Sequence, residues 1–232
     1  MPYGVLIDNV MVALGGFLGA ALGNHLSETF KDRLYQILGY ATMAIGITLV
    51  IKVQTLGAVI LSVILGFCIG SALRLEERVT NFFAGLNQVM MGKNRPDEEY
   101  MASFTTILVL CCCSGTGIFG SMNAALTGDH TTILCKAILD FFTVMIFATV
   151  LGRFTSVIAV PQMIILLLLF FGAKLIMPFL TDQLISDFTA VGGVIELIIA
   201  FRILKLGRVT TVDVLPGLFL VFPISLLWRL VF

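Results

Sequence analysis

Lys136 and Asp140 stand four residues apart in one apolar run, and Glu196 stands in another. Ionisable groups inside a membrane are costly unless they face protein or water, so by default they mark a solute or ion pathway. A lysine and a carboxylate at i and i+4 also share a helix face and can neutralise each other. A structural ion pair is therefore the other reading of Lys136 and Asp140. Ahead of them runs Cys113-Ser114-Gly115-Thr116-Gly117-Ile118-Phe119-Gly120-Ser121, which packs three glycines and three hydroxyls into nine residues. Each glycine weakens a helix by roughly 1 kcal/mol relative to alanine. A break at membrane depth is tolerated only where it is buried in protein or lines a cavity. Ser114, Gly115, Thr116, Gly117 and Ser121 thus read as a solute pathway, with close helix packing through small residues as the alternative. Asn123, Asp129 and His130 close the same run, where they form either an outer vestibule that recruits cations or a solvated loop.

Other chemistries find no support. There is no Ser-His-Asp order, Walker loop or HExxH pattern, so neither hydrolysis nor nucleotide-driven work is indicated, and the chain is not expected to be an enzyme. The cysteines are Cys68, Cys111, Cys112, Cys113 and Cys135, all in apolar runs and none spaced as CxxC. Consecutive residues on a helix point about 100° apart, so Cys111 to Cys113 cannot converge on one metal. No metal or cofactor is expected, and a thiol-redox membrane enzyme is the least favoured reading. Lys plus Arg and Asp plus Glu both number 14, which gives no basic surface for nucleic acid.

The elements that must position these residues follow from hydropathy. Of 232 residues 59% are hydrophobic and 12% charged, with a mean hydropathy of +1.06, far beyond a soluble domain. About 20 apolar residues cross a bilayer core. The pattern predicts an all-α integral membrane protein, one polytopic domain over 1–232. Eight spans are expected near 4–24, 34–51, 56–73, 103–126, 131–151, 155–177, 187–204 and 212–230. Pro216 and Pro223 interrupt the last, so seven full spans and a half-helix is the other count. The amino terminus lacks a basic n-region, so its first span is expected to be retained. Asp8 and Asn9 in that span are read as shallow and facing the outer interface.

Odd-numbered loops carry Lys31, Arg33, Arg74, Arg78, Lys93, Arg95, Arg153, Arg202, Lys205 and Arg208, against Lys52, Lys174 and Arg229 opposite. That bias places both termini outside. The long loop at 74–102 reads as a cytoplasmic amphipathic helix around Phe82 and Phe83, followed by a polar turn from Lys93 to Glu99. At 1.5 Å per residue Lys136 lies roughly 9 Å and Asp140 roughly 15 Å inside span 5. Glu196, counted from Asp187, lies roughly 14 Å inside span 7, and Gly115, counted from Gly128, roughly 20 Å inside span 4.

Gly19-Ala20-Ala21-Leu22-Gly23-Asn24-His25 and Asn123-Ala124-Ala125-Leu126-Thr127-Gly128-Asp129-His130 are alike with one residue inserted, and Lys31 and Lys136 each follow six residues later. One reading is an inverted repeat of spans 1–2 and 4–5, as in secondary transporters. The other is chance in a chain rich in Ala, Leu and Gly. Gly15, Gly19, Gly23, Gly66 and Gly70 read as helix-packing positions.

Gly120-Ser121, Leu126, Gly128-Asp129, Leu134, Lys136 and Leu139-Asp140 together resemble the pattern of the YqgA-like family of bacterial inner-membrane proteins. So do Gly15-Gly16 with Leu18-Gly19, Gly66 and Gly70 ahead of Glu76, Ala190-Val191-Gly192-Gly193, and Leu215-Pro216. In Pro161-Gln162-Met163 only the glutamine matches a position where the family often has Tyr-Gln-Gly. The resemblance implies a multi-pass bacterial inner-membrane protein and supplies no substrate, because that family is of unknown function. The expected function is a transporter or channel for a small ion or polar solute, homodimeric and in contact with lipid. Its site would lie near the midplane between a broken span 4 and span 5. A non-transporting scaffold, docking a partner through 74–102, is the alternative.

Overall fold

The structure, a computed structural model, describes residues 1–91, 98–207 and 209–231. Among these residues the regular elements are helices: α1 (Tyr3–Leu22), α2 (Glu28–Val50), α3 (Leu56–Ala72), α4 (Leu75–Met91), α5 (Glu98–Cys112), α6 (Gly115–Thr127), α7 (Thr131–Leu151), α8 (Ala159–Ile176), α9 (Asp182–Ile203), α10 (Thr211–Val214) and α11 (Gly217–Val231). Seven stretches are long and apolar enough to span a bilayer, with α5 and α6 counted as one and α10 and α11 as another. An eighth consists of α3 and α4, bent by 57° where they join. The chain is an all-α membrane protein of seven to eight spans, and each expected span coincides with one of these stretches.

Local chemistry sets the ends. Ser27, Ser114 and Thr181 each accept a hydrogen bond from the backbone N–H three residues on, which starts α2, α6 and α9. Gly128, at φ +76°, ends α6 in the left-handed conformation that side chains disfavour. Pro216 falls between α10 and α11, and Pro223 lies inside α11.

Glycines set how the helices pair, because without a Cβ two backbones can touch. Gly4 faces Ile133, Gly15 the Phe141 carbonyl and Gly19 the Met145 carbonyl, so α1 and α7 run in parallel. Gly39 against Ile203 and Leu204, and Gly46 against Gly193 and Leu197, set α2 antiparallel to α9. Gly57 on the Trp228 ring, Gly66 on Gly217 and Gly70 on the Asp213 backbone do the same for α3 and α11. The packing reading thus holds for Gly15, Gly19, Gly66 and Gly70. It fails for Gly23, where an added Cβ would meet nothing within 4 Å; this residue follows the end of α1.

The alternating directions sort the loops onto two faces. One carries Lys31, Arg33, Arg74, Arg78, Arg153, Arg202 and Lys205, and is termed the basic face; Lys52, Lys174 and Arg229 lie toward the far face. Lys93, Arg95 and Arg208 fall outside the described residues, as does the polar turn over 92–97. The amphipathic helix expected at the start of the 74–102 loop is α4. It buries Phe83 beside Phe104, Ile107 and Leu108 while Phe82 stays exposed.

Gly15→Val should lower stability by about 1–3 kcal/mol, because the added carbons meet the Phe141 backbone, which cannot rotate away. Gly172→Ala, inside α8 with nothing within 4 Å of the new Cβ, should instead raise it by up to about 1 kcal/mol. Thermal unfolding in detergent, followed by the reactivity of the buried Cys111 and Cys112, measures both.

Candidate functional site

Parallel packing of α1 on α7 brings Asp8 beside Lys136. The Lys136 ammonium donates to Asp8 Oδ2 at 3.1 Å and to Asp140 Oδ2, one turn further along its own helix. On α8, Gln162 Nε2 donates to the same two oxygens, at 2.6 Å to Asp8 and 3.2 Å to Asp140. Two carboxylate oxygens are therefore bridged twice, once by an ammonium and once by an amide. The ring is buried: the side-chain exposure of Asp8 is 0%, of Lys136 1% and of Asp140 13%. Charge-assisted bonds of this kind are strong where water is excluded, and removal of one partner leaves an uncompensated charge.

Glu196 on α9 accepts a 2.7 Å hydrogen bond from the Thr116 hydroxyl. Thr116, Lys136 and Asp140 line one small cavity of about 50 Å³, with Thr42, Ser114 and Thr143. Gly117 makes room for the lysine, since a Cβ there would lie 2.8 Å from Lys136 Cε. A much larger cavity, about 690 Å³, lies among the basic-face ends of α2, α4, α5 and α9, with Thr80, Thr105, Cys113 and Ser114 in its wall. At its rim Arg202 donates to Glu76 at 3.0 Å. Tyr35, Leu110, Ser114, Ile199 and Ile203 line both cavities, so the two adjoin.

Of the expected pathway residues, Ser114, Thr116, Lys136 and Asp140 meet at the small cavity, and Glu196 joins through Thr116. Span 4 is interrupted only at Cys113 and Ser114. The segment after it is regular helix, in which Gly115 packs on Ile195 and Gly117 on Lys136. Ser121 and Asn123 are not brought to the cavity. Ser121 donates to the Leu166 carbonyl at 2.6 Å, and Asn123 to the Asp129 carbonyl at 3.4 Å. Asp129 is partly exposed at the far face, and hydrogen bonds from Thr131 hold its carboxyl below the usual range. His130 is buried, with its ring centroid 3.7 Å from that of Tyr3, and that burial lowers its pKa. It packs as a wall. Among the described residues no group of three or more His, Cys, Asp or Glu could hold a metal ion.

Asp8 is the correction to the sequence reading, which set it at the outer interface. A signal was present: Asp8 lies five residues after Tyr3 and Lys136 five after Thr131, about 7.5 Å into helices that start from one face. Gln162 carried no signal beyond the family resemblance. Asp187 is a second correction. The helix starts at Asp182 rather than near Asp187, so Glu196 lies about 21 Å along it. Asp187 itself is buried and accepts from Gln54 N at 3.0 Å, Thr55 N at 2.7 Å and Ser225 Oγ at 2.5 Å. It anchors the start of α3, whose N-cap residue Thr55 makes no side-chain capping bond and instead accepts from Gln183. Asp213 likewise accepts from Glu76 N, at 3.2 Å, at the start of α4.

Residues 3–226 match the family described as "Protein of unknown function (DUF554)", and the chain belongs to it. It is 41% identical over 230 residues to "Uncharacterized protein YqgA" of Escherichia coli (strain K12), covering 98% of both chains. It is 26% identical over 223 residues to "Uncharacterized membrane protein YdfK" of Bacillus subtilis (strain 168), covering 93% of this chain and 92% of the other. No solved structure matches it.

Lys136→Met should cost about 3–5 kcal/mol, because Asp8 and Asp140 then remain buried without a cation. Asp8→Asn/Lys136→Met/Asp140→Asn, which removes every charge of the ring, should recover most of that loss. Thermal unfolding of the two variants in detergent compares them.

Proposed function

We propose that this member of the family is a small transporter or channel of the bacterial inner membrane, not an enzyme, that carries a small ion or polar solute past the Asp8–Lys136–Asp140–Gln162 ring. The observation that carries the reading is that Lys136 and Asp140 of the buried ring line a small cavity adjoining a large one at the basic face. Lipid surrounds the bundle, in keeping with outward-facing Val150, Leu168 and Leu175. The excess of Lys and Arg on the basic face supports a cytoplasmic location for it, with both termini outside.

In this mechanism Asp140, the most exposed carboxylate of the ring, binds the coupling ion. Lys136 moves between Asp140 and Asp8 as the ion comes and goes, so that neither carboxylate is left unpaired. Glu196 and Thr116 form a second acidic wall, and Ser114 contacts the solute at the helix break. The likeness between 19–25 and 123–130 belongs to the same proposal as an inverted repeat, which the opposite directions of α1 and α6 support. The working unit is a homodimer, which a mass measurement in detergent tests.

A scaffold role is the second reading, favoured by one observation. Helix α4 turns Phe82 and Val89 outward beside the basic face, a surface on which a cytoplasmic partner could dock. Deletion of 74–102 would then abolish function without altering any flux.

In sealed proteoliposomes, Asp140→Asn should reduce gradient-driven uptake to under a tenth of wild type while solute exchange persists. Driven uptake at the wild-type rate would remove Asp140 from coupling. Replacement of all five cysteines should leave uptake unchanged.

A further inference from the structure

The cavity at the basic face carries chemistry of its own. Its volume of about 690 Å³ falls within the range typical of sites for organic molecules, roughly 300–1,000 Å³. Val109, Leu110, Ile199, Ile203 and Val212 supply apolar wall, and Thr80, Thr105 and Ser114 supply scattered hydroxyls. An inorganic ion would gain little from such a wall, whereas the apolar body of an organic solute is desolvated favourably against it. At the rim Glu76 and Arg202 neutralise each other, so this pair gives no charge preference.

The inner end does have one. The ring holds two carboxylates against one ammonium, and Glu196 adds a third carboxylate beside Thr116. Of the ring, Lys136 and Asp140 line the small cavity that adjoins the large one. Carboxyl groups outnumber ammonium groups at this end, which favours a cationic ligand over an anionic one. Asp140, at 13% side-chain exposure, is the carboxylate that lines the adjoining small cavity.

We infer that this cavity binds an amphipathic organic cation, its apolar body against Val109, Ile199 and Val212 and its ammonium directed at Asp140. The inference rests on the transport reading for its purpose, but binding is measurable without flux.

Cys113 lines the cavity, while Cys111 and Cys112 are 1% and 0% exposed. In detergent-solubilised protein carrying Cys68→Ser and Cys135→Ser, Cys113 should react at least tenfold faster with a trimethylammonioethyl than with a sulfonatoethyl methanethiosulfonate, after correction for their rates with a free thiol. Asp140→Asn should bring that ratio toward one. 2-Phenylethylammonium should protect Cys113 saturably, and neither 3-phenylpropionate nor potassium should do so at the same concentration. Ala84→Trp, which fills the cavity wall away from the ring, should abolish the protection even if Asp140→Asn fails to fold. Equal protection by potassium, protection by the propionate, no protection by the amine, or no modification of Cys113 by either reagent overturns the inference. Asp140-dependent uptake of an inorganic ion without amine protection overturns this inference alone. Amine protection with no flux of any solute overturns the transport reading alone.

Discussion

A lysine ammonium held inside an apolar bundle is the constraint on which the rest of the structure depends. Lys136 is 1% exposed, so its charge has to be met by protein, and it is met from two directions, by Asp140 on its own helix and by Asp8 on α1. Gln162 then ties both carboxylates to α8. The arrangement fixes the rotation and depth of three helices at once, because charged groups in a low-dielectric interior cannot slide out of register without losing their partners.

Glycine makes that register reachable. Asp8 comes within 3.1 Å of Lys136 because Gly4, Gly15 and Gly19 let the backbone of α1 lie directly on α7. Gly117 on α6 leaves room for the lysine stem in the same way. The carboxylates of Asp187 and Asp213 perform a different task, accepting from the N–H groups of Gln54 and Thr55 just ahead of α3 and of Glu76 in the first turn of α4. Those N–H groups have no partner within their own helix, and the buried Asp187 replaces the water that would otherwise bind them.

The helix break at Cys113 and Ser114 relates these packed elements to function. It lies where the large cavity of the basic face meets the small one at the ring, and Ser114 belongs to both. Phe119, Phe170 and Phe188, all at most 1% exposed, fill the core of the bundle. The described cavities therefore lie toward the basic face.

Much of this was written in the sequence. Hydropathy located the spans, because each must by itself carry enough apolar residues to cross a bilayer. The four-residue spacing of Lys136 and Asp140 placed them on one face, because helical geometry is local. The interruption of span 4 was legible from its glycines and hydroxyls, although the glycines proved to be packing positions. What the sequence left open depends on contacts between helices far apart in the chain. Asp8 read as a surface residue until α1 lay against α7, Asp187 as a helix end until it met the start of α3, and Gln162 as one polar residue among apolar neighbours. A local pattern fixes depth and face, whereas the partner of a buried charge is set by which helices pack together and at what register, and only the tertiary structure decides that.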